Sequence, residues 1–267
     1  MAEPVKLQPL DGQTKTPPHP TVDRDAECDP DAPLPENVPP GATAETLHEY
    51  GQQQILSRNG AAAVPILIAA NNKKPDDPHI LCDLATALLQ CRLYDDAVRR
   101  AEKAVSLAPD DVDIAANLAQ VYQIVGRIGD AIAEYRRAIE IDDTDHAAYN
   151  NLAVLLVVVK HYKDAELAAR EAVKRAPKNG SYLVNLGYIL YKRQRLVDAE
   201  MVLNRAVMLE PDNADAFNQL GVILAAQKRP VKAKESFQKA LSLDPGHRAA
   251  RENLDAMSQG GAPFGGP

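Results

Sequence analysis

Several kinds of residue are scarce in this 267-residue chain, which has no tryptophan, three phenylalanines and three cysteines. Aromatic residues make up only 4% of the sequence, although 45% of it is hydrophobic. A β-sandwich core needs aromatic and β-branched residues, so this composition favours closely packed helices. Long apolar runs are also missing, because residues 61–70 are interrupted by Pro65 and are too short to cross a bilayer. We therefore expect no membrane insertion.

The three cysteines, Cys28, Cys82 and Cys91, match no spacing of zinc ligands. The N-terminal residues include acids and lack the apolar core of a secretion signal. These two observations predict a cytoplasmic protein with free thiols. They also predict that the chain carries no metal and no cofactor.

Negative charge and proline are concentrated in residues 1–43. This segment holds ten of the 20 prolines, and it has eight acidic residues against three basic ones. It contributes −5 to the net charge of −7, so the rest of the chain is almost neutral. A segment with so few large apolar side chains cannot offset its ordering entropy, and we predict that residues 1–43 are disordered. The acidic balance excludes nucleic acid as the main partner, since phosphate binding needs a surplus of Lys and Arg.

A repeat of 34 residues dominates the remaining sequence. Single residue types recur at this interval in four columns: Pro75, Pro109, Pro177, Pro211 and Pro245; Ala97, Ala131, Ala165, Ala199 and Ala233; Ala104, Ala138, Ala172, Ala206 and Ala240; Leu84, Leu118, Leu152, Leu186 and Leu220. Within a unit the apolar spacing is helical, as in Phe217, Leu220, Gly221 and Leu224. The small residues allow two helices to approach closely.

The order of these residues resembles the tetratricopeptide repeat (TPR) family. Its first-helix pattern appears as Phe217, Leu220-Gly221 and Leu224, and its second-helix pattern as Ala233, Phe237 and Ala240. The resemblance implies an all-α fold, a right-handed α-solenoid of stacked helix–turn–helix units. Five units match well: 78–111, 112–145, 146–179, 180–213 and 214–247. A degenerate unit is expected at 44–77, a capping helix at 248–258 and a flexible tail at 259–267.

No enzyme motif is present: the chain lacks a phosphate-binding loop, a dinucleotide fingerprint, a zinc-protease motif and a nucleophile elbow. The acidic clusters around Asp111 and Asp145 lack the glycine and terminal glutamate of a calcium loop, so they predict helix caps. A column of basic residues on the second helices (Lys103, Arg137, Arg205 and Lys239) suggests either a solvated outer face or a site for an acidic partner.

The family's first helices line a concave groove, and the corresponding positions here carry carboxamides. These residues form a column of Asn117, Asn150, Asn151, Asn185, Asn218 and Gln219. A carboxamide both donates and accepts hydrogen bonds, so such a ladder can hold a peptide backbone, as in the TPR superhelix of O-GlcNAc transferase. The same side chains can instead brace adjacent units, and the sequence leaves both interpretations open.

The groove positions next to this ladder are apolar. Our candidate contact residues are Val154, Val157, Val158, Val184, Tyr188, Tyr191 and Val222. Apolar residues inside a concave surface favour a binding site, although some of the valines could contact the next unit instead. The cations with which chaperone-tail adaptors clamp a terminal carboxylate are absent, because the matching positions include His79, Cys82, Asp83 and Asp113.

The sequence therefore predicts a non-enzymatic adaptor that binds an extended peptide or a helix of a partner protein. One alternative is a self-assembling scaffold, in which the groove accepts another copy. A second is a chaperone for an exported subunit, and a third is a groove occupied by the chain's own N-terminal tail.

Overall fold

The computed structural model describes residues 28–30, 32–35 and 38–258, and within them it contains thirteen α-helices and no strand. Contacts divide the chain into two compact units at Asp143 and Thr144. The expected flexible tail at 259–267 and residues 1–27 of the expected disordered tail lie outside the described residues.

The unit that ends at Asp143 contains three helix pairs. They are α1 (Ala44–Leu56), α2 (Gly60–Lys73), α3 (Pro78–Gln90), α4 (Tyr94–Leu107), α5 (Val112–Ile124) and α6 (Ile128–Ile141). Consecutive helices pack against each other, and so do the first helices α1 and α3 and the first helices α3 and α5.

The unit that begins at Thr144 contains three further pairs and a final single helix. They are α7 (His146–Val158), α8 (Tyr162–Arg175), α9 (Gly180–Lys192), α10 (Leu196–Leu209), α11 (Ala214–Ala226), α12 (Pro230–Leu243) and α13 (Arg248–Ser258). Its first helices also pack in succession, α7 on α9 and α9 on α11. The predicted fold class, an all-α solenoid of helical repeats, is confirmed.

Most first helices begin at a side-chain cap on the 34-residue grid. Asp111 Oδ1 accepts hydrogen bonds from the backbone N–H groups of Asp113 and Ile114, and Asp145 Oδ1 caps α7 in the same way. Asn179 and Asn213 cap α9 and α11. Each cap satisfies backbone donors that a helix end leaves open, and the predicted capping by Asp111 and Asp145 is confirmed.

The first helices end in a turn that also repeats. In α7 the N–H of Lys160 donates to Val157 O and that of His161 donates to Leu156 O, which is the Schellman arrangement. The central residue of this turn has a positive φ in every pair, at Arg58, Arg92, Gly126, Lys160, Gln194 and Lys228. Because the turn is the same after every first helix, the residue at its centre occupies an equivalent position in each repeat.

The core consists of the small-residue and leucine columns. Ala131, Ala165 and Ala199 are fully buried, and Leu152 is as well. At Gly221 a Cβ atom would lie 2.6 Å from Cε1 of the buried Phe237 ring, so only glycine permits this helix spacing. Pro65 lies inside α2, in its second turn, and is buried there.

Residues 38–43 depart from the expected disorder. Val38 is buried with Leu47, Ile66 and Ala70, so this part of the chain packs on the first helix pair. A few apolar side chains are enough to hold this segment in place, because they pack on a core that α1 and α2 already form.

A disulfide joins Cys28 to Cys91, whose Cα atoms lie 5.8 Å apart. The expectation of three free thiols is therefore wrong for this pair, and Cys82 is the free cysteine among the described residues. Burial raises the pKa of the Cys82 thiol to about 12. The sequence could not indicate the pairing, because only the fold places Cys28 beside Cys91, at the end of α3.

Two kinds of feature are absent from the described part of the chain. None of its helices has both the length and the apolarity needed to span a bilayer. Likewise, it contains no group of three or more His, Cys, Asp or Glu side chains that could hold a metal ion.

Candidate functional site

An apolar cavity of about 360 Å³ lies between α7 and α9. Five of the predicted contact residues line it, namely Val154, Val157, Val158, Asn185 and Tyr188. The first three lie on the last two turns of α7, and the other two lie on the middle of α9. We call this cavity the Val/Tyr groove. Val158 is 59% exposed at its edge, so an apolar side chain is presented to solvent where a ligand could cover it.

Four further residues line the Val/Tyr groove: Lys160, Tyr162, Ile189 and Lys192. Sequence reasoning missed Lys160 and Tyr162 because the family's groove positions lie on first helices, whereas these two belong to the turn and the start of α8. Ile189 and Lys192 do lie on the first helix α9, but Ile189 is not at one of the family's groove positions, and Lys192 is neither a carboxamide nor apolar. The conspicuous Val157-Val158-Val159 run that ends at Lys160 was the one available signal.

The ammonium group of Lys192 lies against two tyrosine rings at the groove. Its Nζ lies 5.0 Å from the centroid of the Tyr188 ring and 5.7 Å from that of Tyr191. Such cation–π contacts hold the ammonium group against the rings. Tyr191 does not line the groove itself, but it contacts Lys192, which does.

A second, cationic cavity of about 730 Å³ adjoins the groove and shares Lys160, Tyr162 and Lys192 with it. Its other lining residues are His161, Lys163, Asp164, Leu167 and Arg193. We call it the lysine pocket. Three lysines and an arginine against a single acid give it a positive charge.

Two of these lysines are not neutralised by the protein. Among the described residues neither Lys160 nor Lys163 has an ion-pair partner, and both side chains are exposed. Arg193, by contrast, is bound to Glu166, and the one acid of the pocket, Asp164, lies 3.8 Å from His161 Nδ1. The positive charge that no acid of the protein neutralises therefore comes from Lys160 and Lys163.

A buried carboxylate supports this side of the lysine pocket. Glu166 is only 4% exposed, and it accepts hydrogen bonds from Arg170 Nε at 2.7 Å and from Arg195 Nη1 at 2.6 Å, as well as from Arg193. Burial alone raises the pKa of the Glu166 carboxyl, but the hydrogen bonds from Arg170 and Arg193 outweigh it and hold the pKa below its usual value. Glu166 on α8 thus fixes the turn that follows Lys192.

The carboxamide column makes contacts between repeats. Asn185 Nδ2 donates to Asn150 Oδ1 at 2.9 Å, and Asn150 Nδ2 lies 3.5 Å from Asn151 Oδ1. Asn117 donates to the Thr86 hydroxyl of the preceding repeat at 2.9 Å. These four residues are only partly buried, although Oδ1 of Asn117 is itself buried and has no hydrogen-bond partner.

The remaining predicted residues lie away from the groove. Asn218, Gln219 and Val222 are 2%, 5% and 2% exposed and belong to the interior of α11. Asn218 accepts a hydrogen bond from Asn253 of α13 at 3.0 Å. Val184 is half-buried and packs on the core around Leu183. These four side chains serve packing in this structure, because the next helix covers the positions that a terminal repeat would leave open.

The basic column of the second helices is bound by the chain itself. Arg205 Nη2 donates to Pro177 O at 2.6 Å, and Arg137 donates to Pro109 O in the preceding repeat junction. Lys103 pairs with Asp76, and Lys239 lies 5.9 Å from the Phe217 ring centroid. Arg205, Arg137 and Lys103 therefore bind the turn that precedes their repeat, whereas Lys239 lies on a ring of α11 in its own repeat.

Two family models match the chain, and both are described as tetratricopeptide repeats. One covers residues 214–247, and the other covers residues 82–146 and 150–210. Together the matches span more than half of the sequence.

Solved structures of similar fold have low sequence identity. YrrB, described as a TPR protein with an unusual peptide-binding site, is 21% identical, with a TM-score of 0.58 over 72% of this chain and 97% of its own. PilF of Pseudomonas aeruginosa is 15% identical, with a TM-score of 0.69 over 80% and 97%. MamA of Desulfovibrio magneticus RS-1 is 17% identical, with a TM-score of 0.59 over 64% and 97%. No curated protein matches the chain.

Proposed function

Because this chain belongs to the tetratricopeptide repeat family, we propose that it is a non-enzymatic adaptor that binds a peptide segment of a partner protein in the Val/Tyr groove. The observation that carries this proposal is the cavity between α7 and α9, which is lined mainly by apolar side chains and leaves Val158 exposed. Grooves of this kind bind apolar anchor residues, since burying them removes hydrophobic surface from water.

The carboxamides next to the groove supply the polar part of the site. Asn185 uses one N–H to bind Asn150, and its Oδ1 has no partner among the described residues. A backbone N–H of a bound peptide can donate to this oxygen, which holds the peptide without selecting its sequence. Bracing and peptide binding are therefore compatible in one side chain. Asn150 and Asn151 lie beside it, but each Oδ1 already accepts a hydrogen bond from a neighbouring carboxamide, and Oδ1 of Asn117 is buried, so Asn185 is the candidate for this role.

YrrB supports the proposal as a protein of similar fold that is described as having a peptide-binding site. Two alternatives, a second copy of the chain and its own N-terminal segment, compete for the same groove. The cytoplasmic location stays a prediction, and the Cys28–Cys91 disulfide favours an oxidising compartment instead.

A random peptide library displayed on phage and panned over the full-length chain tests the proposal. Peptides enriched on the wild type are synthesised, and their affinities are measured by fluorescence polarisation for the wild type and two variants. Val158→Asn makes the groove polar without adding charge. Val197→Asn is the matched control, because Val197 is 77% exposed on α10 and does not line the groove.

We expect Val158→Asn to weaken binding about fivefold, because a partly exposed valine side chain contributes roughly 1 kcal/mol when it is covered. Val197→Asn should bind like the wild type. Failure to enrich any peptide, or equal affinities for all three proteins, overturns the proposal.

Light scattering over a wide concentration range tests the second-copy alternative, which requires a dimer. Deleting residues 1–27 should raise peptide affinity if the N-terminal segment occupies the groove, and leaves it unchanged otherwise.

A further inference from the structure

The lysine pocket adds a chemical requirement to the ligand of the Val/Tyr groove. The two cavities share three lining residues, so a ligand that fills the groove passes the pocket as well. Resting on the proposed function, we infer that the partner segment carries an aspartate or glutamate side chain beside its apolar anchor, and that this carboxylate binds in the lysine pocket.

The balance of charge around the pocket carries this inference. Lys160 and Lys163 are exposed and have no ion-pair partner among the described residues. Two other cations of the same unit are neutralised, Arg195 by Glu166 and Asp198 and Arg229 by Glu200, whereas Lys160 and Lys163 line one cavity without such a partner. Unpaired lysines repel each other, and a carboxylate placed among them relieves that repulsion.

The arrangement of the backbone holds these lysines on one side of the site. Lys160 is the positive-φ residue of the turn after α7, with φ at 61°, and Lys163 follows in the first turn of α8. Lys192, at the end of α9, is kept against the Tyr188 ring. The charge is therefore supplied by two separate turns that are each fixed by backbone hydrogen bonds.

This location differs from the carboxylate clamp that the sequence excluded. That clamp uses the beginning and middle of the first helices, where this chain has His79, Cys82 and Asp83. The lysine pocket instead lies at the end of the first helices and the start of a second helix. An acidic side chain next to an apolar anchor fits this arrangement, because the lysine pocket and the Val/Tyr groove share three lining residues.

The experiment compares an acidic ligand with its amide analogue. A phage-enriched peptide that contains Asp or Glu is synthesised together with the peptide in which each acid is replaced by Asn or Gln. Both are titrated against the wild type, against Lys160→Gln with Lys163→Gln, and against Lys228→Gln with Lys232→Gln. The last variant is a matched control. Lys228 occupies the same turn position in the last helix pair, between α11 and α12, also with φ at 61°, and it lies outside the pocket.

We expect the wild type to bind the acidic peptide at least about fivefold more tightly than the amide peptide, as two ion pairs at a partly exposed site allow. The Lys160→Gln, Lys163→Gln protein should lose this preference, so that it binds the acidic and the amide peptide with similar affinity. The control should retain the preference. Added salt should weaken binding of the acidic peptide more than that of the amide peptide.

Equal affinities of the two peptides for the wild type overturn the inference, and so does an equal loss in the control variant. If Val158→Asn still weakens binding in that case, the proposed groove stands and the charge requirement alone falls. If no peptide is enriched, both fall. Peptides enriched without acidic residues also contradict the inference.

Discussion

The side chain of Asn185 donates a 2.9 Å hydrogen bond to Oδ1 of Asn150, which belongs to the preceding repeat. The two residues are 35 positions apart, and the same separation joins Asn253 to Asn218 and His48 to Asp83. A polar pair between successive first helices therefore recurs in both compact units. It connects neighbouring repeats at the positions where the sequence suggested a peptide-binding ladder.

These carboxamide pairs should differ in their contribution to stability according to burial. Asn253→Ala leaves Oδ1 of the buried Asn218 without its donor, so we expect the free energy of unfolding to fall by about 1–3 kcal/mol. Asn185→Ala, in a partly exposed pair, should cost about 0.5–1.5 kcal/mol. Urea denaturation followed by circular dichroism measures both. Asn204→Ala, on the exposed surface of α10, is the control and should change stability by less than about 0.5 kcal/mol.

The close approach of α11 and α12 depends on Gly221. A Cβ atom there would lie 2.6 Å from the Phe237 ring, whose side chain is fully buried and has no space to move. Although alanine favours a helix by about 1 kcal/mol, overpacking costs about 1–3 kcal/mol, so Gly221→Ala should destabilise the protein. Thermal unfolding measures the change. If the clash is the cause, Gly221→Ala must cost less when Phe237→Ala is already present.

The Cys28–Cys91 disulfide should stabilise the folded chain. It closes a loop with a sequence separation of 63 residues, so Cys28→Ala is expected to reduce the free energy of unfolding by about 2–4 kcal/mol, mainly by releasing the unfolded chain. Thermal unfolding without reductant measures this effect, and reductant should lower the melting temperature of the wild type but not of the variant. A thiol assay in denaturant provides the control. It should find one free thiol per wild-type chain, Cys82, and three thiols would contradict the pairing.

Acid should weaken the protein through Glu166. The pKa of its carboxyl is lower in the folded chain than the usual value of 4.5, so the folded state binds its proton less readily than the unfolded state. The stabilisation is therefore complete above about pH 5 and is lost as the pH falls through the folded-state pKa. Melting temperatures measured from pH 6 downward, roughly to pH 3, should fall more steeply for the wild type than for Glu166→Gln. Parallel curves would show that Glu166 does not contribute to this dependence.

Much of the fold follows from the spacing of residues in the sequence. Asp111 and Asp145 had to cap helices, because they precede apolar helical patterns and an uncapped N-terminus leaves backbone donors open. The Ala and Gly columns similarly require two helices in close contact. The role of the carboxamides did not follow, since one spacing of 34 or 35 residues suits both a groove that binds a peptide and a bond between repeats. Contacts such as that between Asn218 and Asn253 became visible only in three dimensions.

The candidate site was predicted in part, for a related physical reason. Val154, Val157 and Val158 share one face of α7, so the helical period alone groups them. Lys160 and Lys163 come from a turn and a second helix, and only the packing of α7, α8 and α9 brings them near Lys192. The disulfide also could not be predicted from the sequence, because only the tertiary structure places Cys28 beside Cys91.

The sequence by itself determined the repeat, the helix pairs and their caps, since these depend on interactions within about 34 residues along the chain. The tertiary structure decided which polar groups are satisfied and which charges stay unpaired. Those properties depend on the distance between side chains of different repeats, and a periodic sequence assigns the same expectation to every repeat. The scarcity of aromatic residues agrees with this distinction. The alanine and leucine columns bring the helices of every repeat close together, whereas a few tyrosines and lysines give the Val/Tyr groove its particular chemistry.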